Sequence, residues 1–380
     1  MSEIKLQRLF KKGFKKFSLI SWDEKGIINM YEKHIGQSTP AIKRQSVIES
    51  IGWDGQIVIL FADIVGCSEI SNYETIEKYN KILRQFRSLF EKITNEYKQK
   101  FYDSHDNIDF KSQVRGNEGC LIIFRKVPEQ ANPDLWADSI DAAISIALDI
   151  KRRWLLSESN KEKINSGKHT SDIAVGIHFG QAWINKTGNN KYQPEGYAIN
   201  LTKRIESHSR EGAFTHIYLS EAAYDKLYPL IDKTPYTFDL PRLIKPKGIS
   251  PGINIFEVKH HFLPTDWADE TSKASKWKTF EPSTDDIEKI EKAHIANPSN
   301  LWLLEECIMM QIQHGYKELL KQGKEEELRN LGEAYGESVS AAKKNATSSM
   351  NDAVNLLVCM ASYLGKMETI KKINSLLKKK

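Results

Sequence analysis

Asp63 closely follows an apolar run, residues 57–61, whose largely β-branched side chains predict a buried strand. A carboxylate at the end of such a strand must be solvated, paired or bound to a cation, because an isolated buried charge is very costly. Gly66 lets the chain turn sharply, so the backbone at Gly66 and Cys67 could approach a phosphate or a metal ion. The plainer alternative is that Asp63 caps a helix that begins near Ser71.

Asn200 and Arg204 are a second candidate pair. They lie four residues apart in a segment with helical spacing of apolar residues, 196–207, so they share one helix face. An amide and a guanidinium one turn apart could hold a sugar and a phosphate together, since arginine offers a donor fork that fits phosphate oxygens. The alternative is a surface arginine that pairs with Glu206 or Glu211.

Two further residues could take part, but each has an ordinary structural explanation. His178 lies in a predicted strand and could act as a base, although a hydrogen-bonded structural histidine is the commoner case there. Lys247 precedes Gly248 on a predicted turn, where it could hold an anion or could be an ordinary surface lysine. Neither residue indicates a chemistry by itself.

The elements that would position these residues alternate in type along the chain. Apolar residues at helical spacing predict two amphipathic helices, and short β-branched runs predict strands. Gly116 separates two of the strands, which favours a hairpin whose loop carries Asn117 and Glu118. The order is βαββαβ, the split ferredoxin-like arrangement of an α+β fold. The predicted segments are strand 57–61, helix 73–97, strands 110–114 and 120–124, helix 135–156 and strand 173–179.

Composition and patterning divide the 380 residues into four regions. Residues 1–50 predict helical pieces whose lysines and phenylalanines could lie on a membrane surface, on a partner or on the main domain. Residues 51–260 hold the α+β domain, and 261–284 form a polar linker with two tryptophans. Residues 285–380 show no strand pattern and predict an all-α domain of four or five helices, which could serve as a sensor or regulatory domain.

The overall composition is that of an ordinary globular protein, with 40% hydrophobic and 28% charged residues. No apolar stretch reaches the roughly 18 residues of a membrane-spanning helix, and a secretory signal is not expected. The four cysteines form no CxxC pair, which argues against a zinc site and for reduced thiols in the cytoplasm. A net charge of +5 is too small to indicate nucleic acid binding, and phosphate-bearing small molecules fit it equally well.

Four stretches in register resemble the catalytic domain of the class III nucleotidyl cyclases. They are FADIVG at 61–66, VGIHFG at 175–180, GYAINLTKRIES at 196–207, and PKG followed by INIFEV up to residue 258. Each stretch lies on the predicted element that the family uses for it, and the resemblance covers residues 52–260. It implies a head-to-tail homodimer, with the active sites at the interface between the two chains.

The resemblance also implies a role for each candidate residue. Two divalent ions, Mg²⁺ or Mn²⁺, would be held by Asp63, by the carbonyl of Ile64 and by a second acid in the hairpin. Asn200 would orient the ribose of a nucleoside triphosphate, Arg204 would stabilise charge on the α-phosphate, and Lys247 would hold the outer phosphates. The 3′-hydroxyl would then displace pyrophosphate and leave a 3′,5′-cyclic nucleotide.

Two positions depart from the family pattern. The hairpin acid should follow Gly116 directly, but Asn117 stands there and Glu118 comes next. Either Glu118 takes the second ligand position with a one-residue bulge at Gly119, or the site has lost an acid. Ala174 stands where many relatives carry an arginine, so one phosphate contact would be missing.

The residues that read the base also differ from those of the adenylate cyclases, which use a lysine and an aspartate. Gln193 stands at the aspartate position, and Gln113 or Val114 stands at the lysine position. A glutamine amide both donates and accepts hydrogen bonds, so it could face uracil, cytosine or guanine. Such a pocket beside a helical region is similar to the pyrimidine cyclases of anti-phage Pycsar systems. That similarity implies cyclic UMP or cyclic CMP as the product, and a separate cyclic-nucleotide-binding effector that reads it.

The sequence leaves other functions open. One is a purine nucleotide cyclase. Another is a diguanylate cyclase, because residues 115–119 faintly resemble the GGDEF hairpin of that class. A further alternative is a catalytically silent domain that binds a nucleotide and signals through its helices, which Asn117 and Ala174 favour. In the last alternative, the C-terminal helices are a protein-interaction scaffold, and the first domain serves only to dimerise it.

Overall fold

The fold is taken from a computed structural model of the chain. The predictions made for residues 1–50, for residues 261–282 and for Lys247 lie outside the part that it describes. The structure describes residues 52–102, 107–127, 133–187, 191–234, 236–246, 248, 252–260, 283–331 and 350–364.

The strands of the described residues form one mixed sheet. They are β1 (Trp53–Ile64), β2 (Ile108–Arg115), β3 (Glu118–Arg125), β4 (Ile173–Thr187), β5 (Lys191–Glu195), β6 (Ile217–Ser220), β7 (Tyr236–Phe238), β8 (Arg242–Ile244) and β9 (Ile253–His260). Their order across the sheet is β2, β3, β1, β4, β6, β9, β7, with β5 beside β4 and β8 beside β9. The first four strands therefore have the neighbours expected of the predicted βαββαβ arrangement.

The helices fall into two groups along the chain. Within the domain that contains the sheet they are α1 (Cys67–Tyr73), α2 (Ile76–Tyr102), α3 (Pro133–Leu155), α4 (Glu158–Asn165), α5 (Tyr197–Ser209) and α6 (Glu221–Leu227). After residue 283 they are α7 (Thr284–Ala296), α8 (Leu301–Lys321) and α9 (Met350–Tyr363). None of the helices in the described ranges has enough consecutive apolar residues to cross a membrane.

The main core lies between the sheet and the helices α2 and α3. Alternate residues of a strand point to the same face, and β1 sends one such row into this core. On the helix side, the ring of Phe90 lies so close to Gly119 that a Cβ there would be 2.5 Å away. Gly119 therefore lets α2 lie directly on β3. The β1 residues in the core are Val58, Leu60, Ala62 and Ile64.

Several elements differ from the sequence predictions. Asp63 lies inside β1, which extends to Ile64, and so does not follow the strand. β4 continues to Thr187, and β5 forms where the sequence predicts a loop over 188–196. The residues of β5 are polar and include Pro194, so pairing with β4 makes this segment a strand where local apolar alternation is missing.

The helices α7 and α8 pack directly on α3 and α4. Leu155 of α3 and Ile164 of α4 share an apolar cluster with residues of α7 and α8. The helices α8 and α9 share a separate apolar core. The C-terminal helices thus rest on the domain that carries the sheet. Their residues in the first cluster are Ile287, Ile290, Ala293, Trp302, Leu303, Cys307 and Met310.

Charged residues join α3 to α8 beside this cluster. Arg152 donates two hydrogen bonds to Glu306, at 2.7 and 2.8 Å, and the Glu306 side chain is only 1% exposed. Lys151 is fully buried, with its ammonium 4.7 Å from the centre of the Trp302 ring. Because the loss of one partner would leave the other charge buried without a counter-ion, this pair stabilises the packing of α8 on α3.

By its internal contacts the chain divides into two units, residues 1–55 with 181–196 and residues 56–180 with 197–380. In the described part of the first unit, β5 pairs antiparallel with the end of β4. The rings of Trp53 and Tyr192 meet edge to face there, with centroids 5.8 Å apart.

We expect Glu306→Gln to lower the free energy of unfolding by about 3 kcal/mol, because it leaves the Arg152 guanidinium buried without its main counter-ion. Asp149, 3.8 Å from Arg152, supplies partial compensation and keeps the loss at the low end. Urea unfolding of the purified chain measures the change. Glu288→Gln, the same change at an exposed position of α7, is the control and should shift stability by less than about 0.5 kcal/mol. Equal effects of the two changes would contradict a buried pair that holds α8.

Candidate functional site

The strand register brings Asp63 and Glu118 to the same face of the sheet. Asp63 lies directly opposite Glu118, and Glu118 lies directly opposite Arg115 on the next strand. Residues directly opposite in an antiparallel pair project to the same side. The register continues unbroken through Gly119, which pairs with Ala62, so the one-residue bulge considered at Gly119 is wrong. Glu118 reaches this face without it.

Asp63 is a buried carboxylate with a protein donor on each oxygen. Its side chain accepts a hydrogen bond from the Asn117 amide on one oxygen and from the Arg210 guanidinium on the other. Only 5% of the residue is exposed. Burial raises the pKa of the Asp63 carboxyl, and the nearby charges of Arg210 and Lys203 oppose that rise.

The helix α5 brings these cations to the acids because it lies directly on β4. A Cβ at Gly176 would be 2.4 Å from the backbone nitrogen of Glu206, so only glycine allows this close approach. Lys203 and Glu206 lie three residues apart on α5, and Arg210 follows one turn after Glu206, just past the helix end. The three share one side of the helix.

Glu118 and Glu206 are also paired with cations. Glu118 forms an ion pair with Lys203, whose ammonium lies 5.6 Å from the centre of the Phe61 ring. Glu206 is 1% exposed and accepts from Arg210 at 3.3 Å. Burial raises the pKa of Glu206, and the charge of Asp63 adds to the rise. Three carboxylates and two cations therefore lie together on this side of the domain.

Asn200 and Arg204 are not part of this cluster of paired charges. Both are exposed on α5, and neither forms a hydrogen bond or ion pair within the part of the chain that the structure describes. The alternative of a surface pair with Glu206 or Glu211 is wrong, since Glu206 pairs with Arg210 and Glu211 pairs with Arg242. Their amide and guanidinium are available to a ligand or to a second chain.

The loop after β1 is held by backbone contacts. The Ile64 N–H donates to the Asn117 carbonyl at 3.3 Å, and the Val65 N–H donates to the Asp172 carbonyl at 2.9 Å. Gly66 has a positive φ of 73°, which a side chain would strain. The thiol of Cys67 is buried against the Tyr79 hydroxyl, 3.5 Å away, so at this residue only the backbone is offered to a phosphate.

Asp172, which accepts from Val65 through its backbone, is itself fixed by two side chains. Its carboxylate accepts from Lys151 and lies 2.8 Å from the ring nitrogen Nδ1 of His216. Burial acts to raise the pKa of Asp172, but Lys151 and His216 hold it below its usual value. Sequence patterning gave no sign of this pair, because its members lie 21 residues apart on α3 and before β4.

Of the two candidate base-reading residues in β2, only Gln113 lies on the face of the sheet that carries Asp63. Gln113 is exposed and lies opposite Cys120, which lies opposite Phe61, so Gln113 shares the face of Asp63. Val114 packs against the apolar core on the other face, which removes it as a base reader. Gln193 is exposed in the middle of β5, opposite Asn185 of β4.

His178 is a structural residue in this fold. It is 7% exposed, and its Nδ1 lies 2.7 Å from the Ser220 hydroxyl, which also caps α6. Burial lowers the pKa of His178 to about 4, so the ring is neutral at neutral pH. The interpretation of His178 as a catalytic base gains no support from this geometry.

The described residues fit one divalent ion better than two. Mg²⁺ is usually held by one or two carboxylates together with substrate phosphates, and the Asp63 carboxylate with the Ile64 carbonyl provides such donors. The second acid is missing at Asn117, whose amide nitrogen faces Asp63, and Glu118 is engaged by Lys203. In the described ranges no three His, Cys, Asp or Glu side chains are arranged around a possible metal position.

Comparison with solved structures returns several nucleotide cyclases. The adenylyl cyclase CyaB from P. aeruginosa is 18% identical over 55% of this chain and 96% of its own, with a TM-score of 0.41. The guanylyl cyclase Cya2 is 20% identical over 56% of this chain and 95% of its own, with a TM-score of 0.41. The guanylate cyclase domain of RhGC from Catenaria anguillulae, in complex with GTP, is 16% identical over 55% and 99%, with a TM-score of 0.37.

Sequence comparison gives a family for about half of the chain. Residues 52–240 match the family described as the adenylate and guanylate cyclase catalytic domain. Comparison with curated proteins finds no significant match. The matched residues include Asp63, the hairpin of β2 and β3, and the whole of α5.

The neutral state of His178 predicts a pH dependence of stability. The unfolded chain binds a proton at this ring below about pH 6.5, whereas the folded chain does so only below about pH 4, so stability falls as the pH falls. We expect this residue to contribute a loss of about 2 kcal/mol between pH 7 and pH 5, measured by urea unfolding. His178→Asn keeps a donor and acceptor for Ser220 but does not titrate, so its pH dependence should be shallower by that amount. An unchanged pH dependence in the variant would contradict the assignment.

Proposed function

We propose that residues 52–240, which match the adenylate and guanylate cyclase catalytic domain family, form a nucleotidyl cyclase domain, and that it converts a nucleoside triphosphate into a 3′,5′-cyclic nucleotide and pyrophosphate. The observation that carries the proposal is the position of Asp63. Its buried carboxylate lies near the end of β1, beside the turn of the hairpin and the Gly66 loop. A cation-binding acid next to a glycine-containing loop suits a triphosphate.

Some residues of the chain would hold the nucleoside triphosphate, and others would stabilise the charge that develops during the reaction. The Asn200 amide orients the ribose so that its 3′-oxygen lies in line with the α-phosphorus. The Arg204 guanidinium stabilises the negative charge that develops on the α-phosphate as the bond to the β-phosphate breaks. The backbone at Gly66 and Cys67, together with Lys247, holds the outer phosphates. Asp63 and the Ile64 carbonyl would hold a Mg²⁺ or Mn²⁺ ion, which would supply positive charge to the reaction.

A head-to-tail homodimer completes this site. Within one chain the side of α5 that faces Asp63 carries Lys203, Glu206 and Arg210, while Asn200 and Arg204 are exposed and unpaired among the described residues. An arginine left free on a surface helix gains little from its own chain, but it gains a phosphate partner across an interface. Each of the two sites would then take Asp63 from one chain and Asn200 with Arg204 from the other.

For the base we propose a pyrimidine. Gln113 shares the sheet face of Asp63, and the side chains of Gln113 and Gln193 are each exposed. Each amide presents a donor beside an acceptor, which matches the edge of uracil or cytosine. The product, cyclic UMP or cyclic CMP, would act as a second messenger in anti-phage defence and would be read by a separate effector.

The C-terminal helices are proposed to regulate this site. Trp302 of α8 contacts Lys151, and Lys151 holds Asp172. The Asp172 carbonyl accepts from Val65, which lies next to Ile64 in the loop after β1. A shift of α8 would therefore disturb Lys151, which is connected to the loop after β1 through Asp172.

A catalytically silent, nucleotide-binding sensor is the second candidate function. It is favoured by the loss of the hairpin acid at Asn117 and by the cations that already neutralise Asp63 and Glu118. Such a domain would bind a triphosphate and pass the signal through α8.

The test is incubation of the purified chain with each of the four nucleoside triphosphates and Mn²⁺, with products resolved by mass. We expect cyclic UMP or cyclic CMP and a loss of at least about 100-fold in kcat/KM for Asp63→Asn, which removes the ion-binding charge. Asp225→Asn, the same change at an exposed position of α6, should leave the rate unchanged. Cyclic AMP as the only product would contradict the base assignment. Binding of a nucleotide without turnover would favour the silent sensor.

A further inference from the structure

The contacts of Arg210 place a permanent positive charge beside Asp63. Its guanidinium donates to Asp63 and, at 3.3 Å, to Glu206. Arginine stays charged under all ordinary conditions, and its planar fork holds two carboxylates in fixed directions. Because Glu206 is 1% exposed, it has few other ways to offset its charge and anchors Arg210 in place.

Asn117, which lacks the negative charge of an acid, and Arg210, which adds a positive charge, both contact the Asp63 carboxylate. Asn117 is the position where the family pattern has an acid, so the site holds one negative charge less than two ions would require. Its amide donates to one oxygen of Asp63, and Arg210 donates to the other. A second divalent ion would thus meet a neutral ligand and a fixed cation where it needs a carboxylate.

We propose that Arg210 supplies the positive charge that a second divalent ion would otherwise bring, so that each active site takes one ion with its triphosphate. This inference rests on the proposed nucleotide site at Asp63 and specifies how that site is charged. The Arg210 side chain is 42% exposed, so its guanidinium can turn part of its donor fork toward a phosphate while Glu206 retains it. The one ion would be held by Asp63 and the Ile64 carbonyl, with Arg210 retained beside it by Glu206.

Lys203 makes the same arrangement at the neighbouring acid. It pairs with Glu118, the other carboxylate that could have served a second ion. Lys203 and Arg210 come from the same side of α5, so one helix neutralises both acids on the sheet face. The positive charges that balance these acids are therefore side chains of the same chain, at fixed positions along α5 and just after it.

The experiment counts bound ions on the full-length chain. Equilibrium dialysis with Mn²⁺ and inorganic triphosphate, which carries the substrate's phosphates without a base, is followed by elemental analysis of bound manganese and phosphorus. We expect one Mn²⁺ for each bound triphosphate in the unmodified chain. Asn117→Asp alone and Arg210→Gln alone should also give one, because each retains one of the two obstacles. The double variant restores the acid and removes the cation, so it should give two, with spin coupling between neighbouring Mn²⁺ ions in its electron paramagnetic resonance spectrum.

Arg242→Gln is the matched control, since Arg242 pairs with the exposed Glu211 outside this cluster. It should bind one ion, as the unmodified chain does. Two ions in the unmodified chain would overturn the inference while leaving the cyclase proposal intact, and so would a folded double variant that still binds one. One ion together with no product from any nucleoside triphosphate would reject the proposed reaction and leave the charge assignment standing.

Discussion

The buried charge of Asp63 is the constraint on which the site depends. A carboxylate with 5% exposure near the end of β1 is stable only if the fold delivers donors and cations to it. Asn117 arrives through the tight hairpin turn, and Arg210 arrives because Gly176 lets α5 lie directly on β4. The same packing leaves Asn200 and Arg204 on the outer side of the helix. The need to neutralise one acid thus separates the two halves of the proposed site.

The strands and helices that surround Asp63 could be predicted from local patterns. The apolar run at 57–61 and the helical stripe of α2 have clear periodicity, and Gly116 marks the hairpin. The register could not be predicted in the same way, because moving a strand by one residue exchanges its two faces. Only the pairing of Gln113 with Cys120 shows that Gln113, and not Val114, shares the face of Asp63.

Arg210 could not be found from local sequence, since its partner Asp63 lies 147 residues away. Its spacing from Lys203 and Glu206 is the one available sign, a charged stripe along one side of α5 that solvent exposure explains equally well. β5 could not be predicted for a similar reason, because its mostly polar residues become a strand only through pairing with β4. The motifs predicted the family and the candidate roles, whereas the counter-ions of the acids required the tertiary structure.

The central claim is that Asp63 of one chain and Arg204 of its twin act on the same triphosphate. Its most direct test is the activity of a mixture of Asp63→Asn and Arg204→Ala chains, each inactive alone. Random pairing puts half of the chains in mixed dimers, and each mixed dimer keeps one complete site, so the mixture should recover about a quarter of the normal rate. No recovery, in a mixture where mixed dimers are shown to form, would contradict the account.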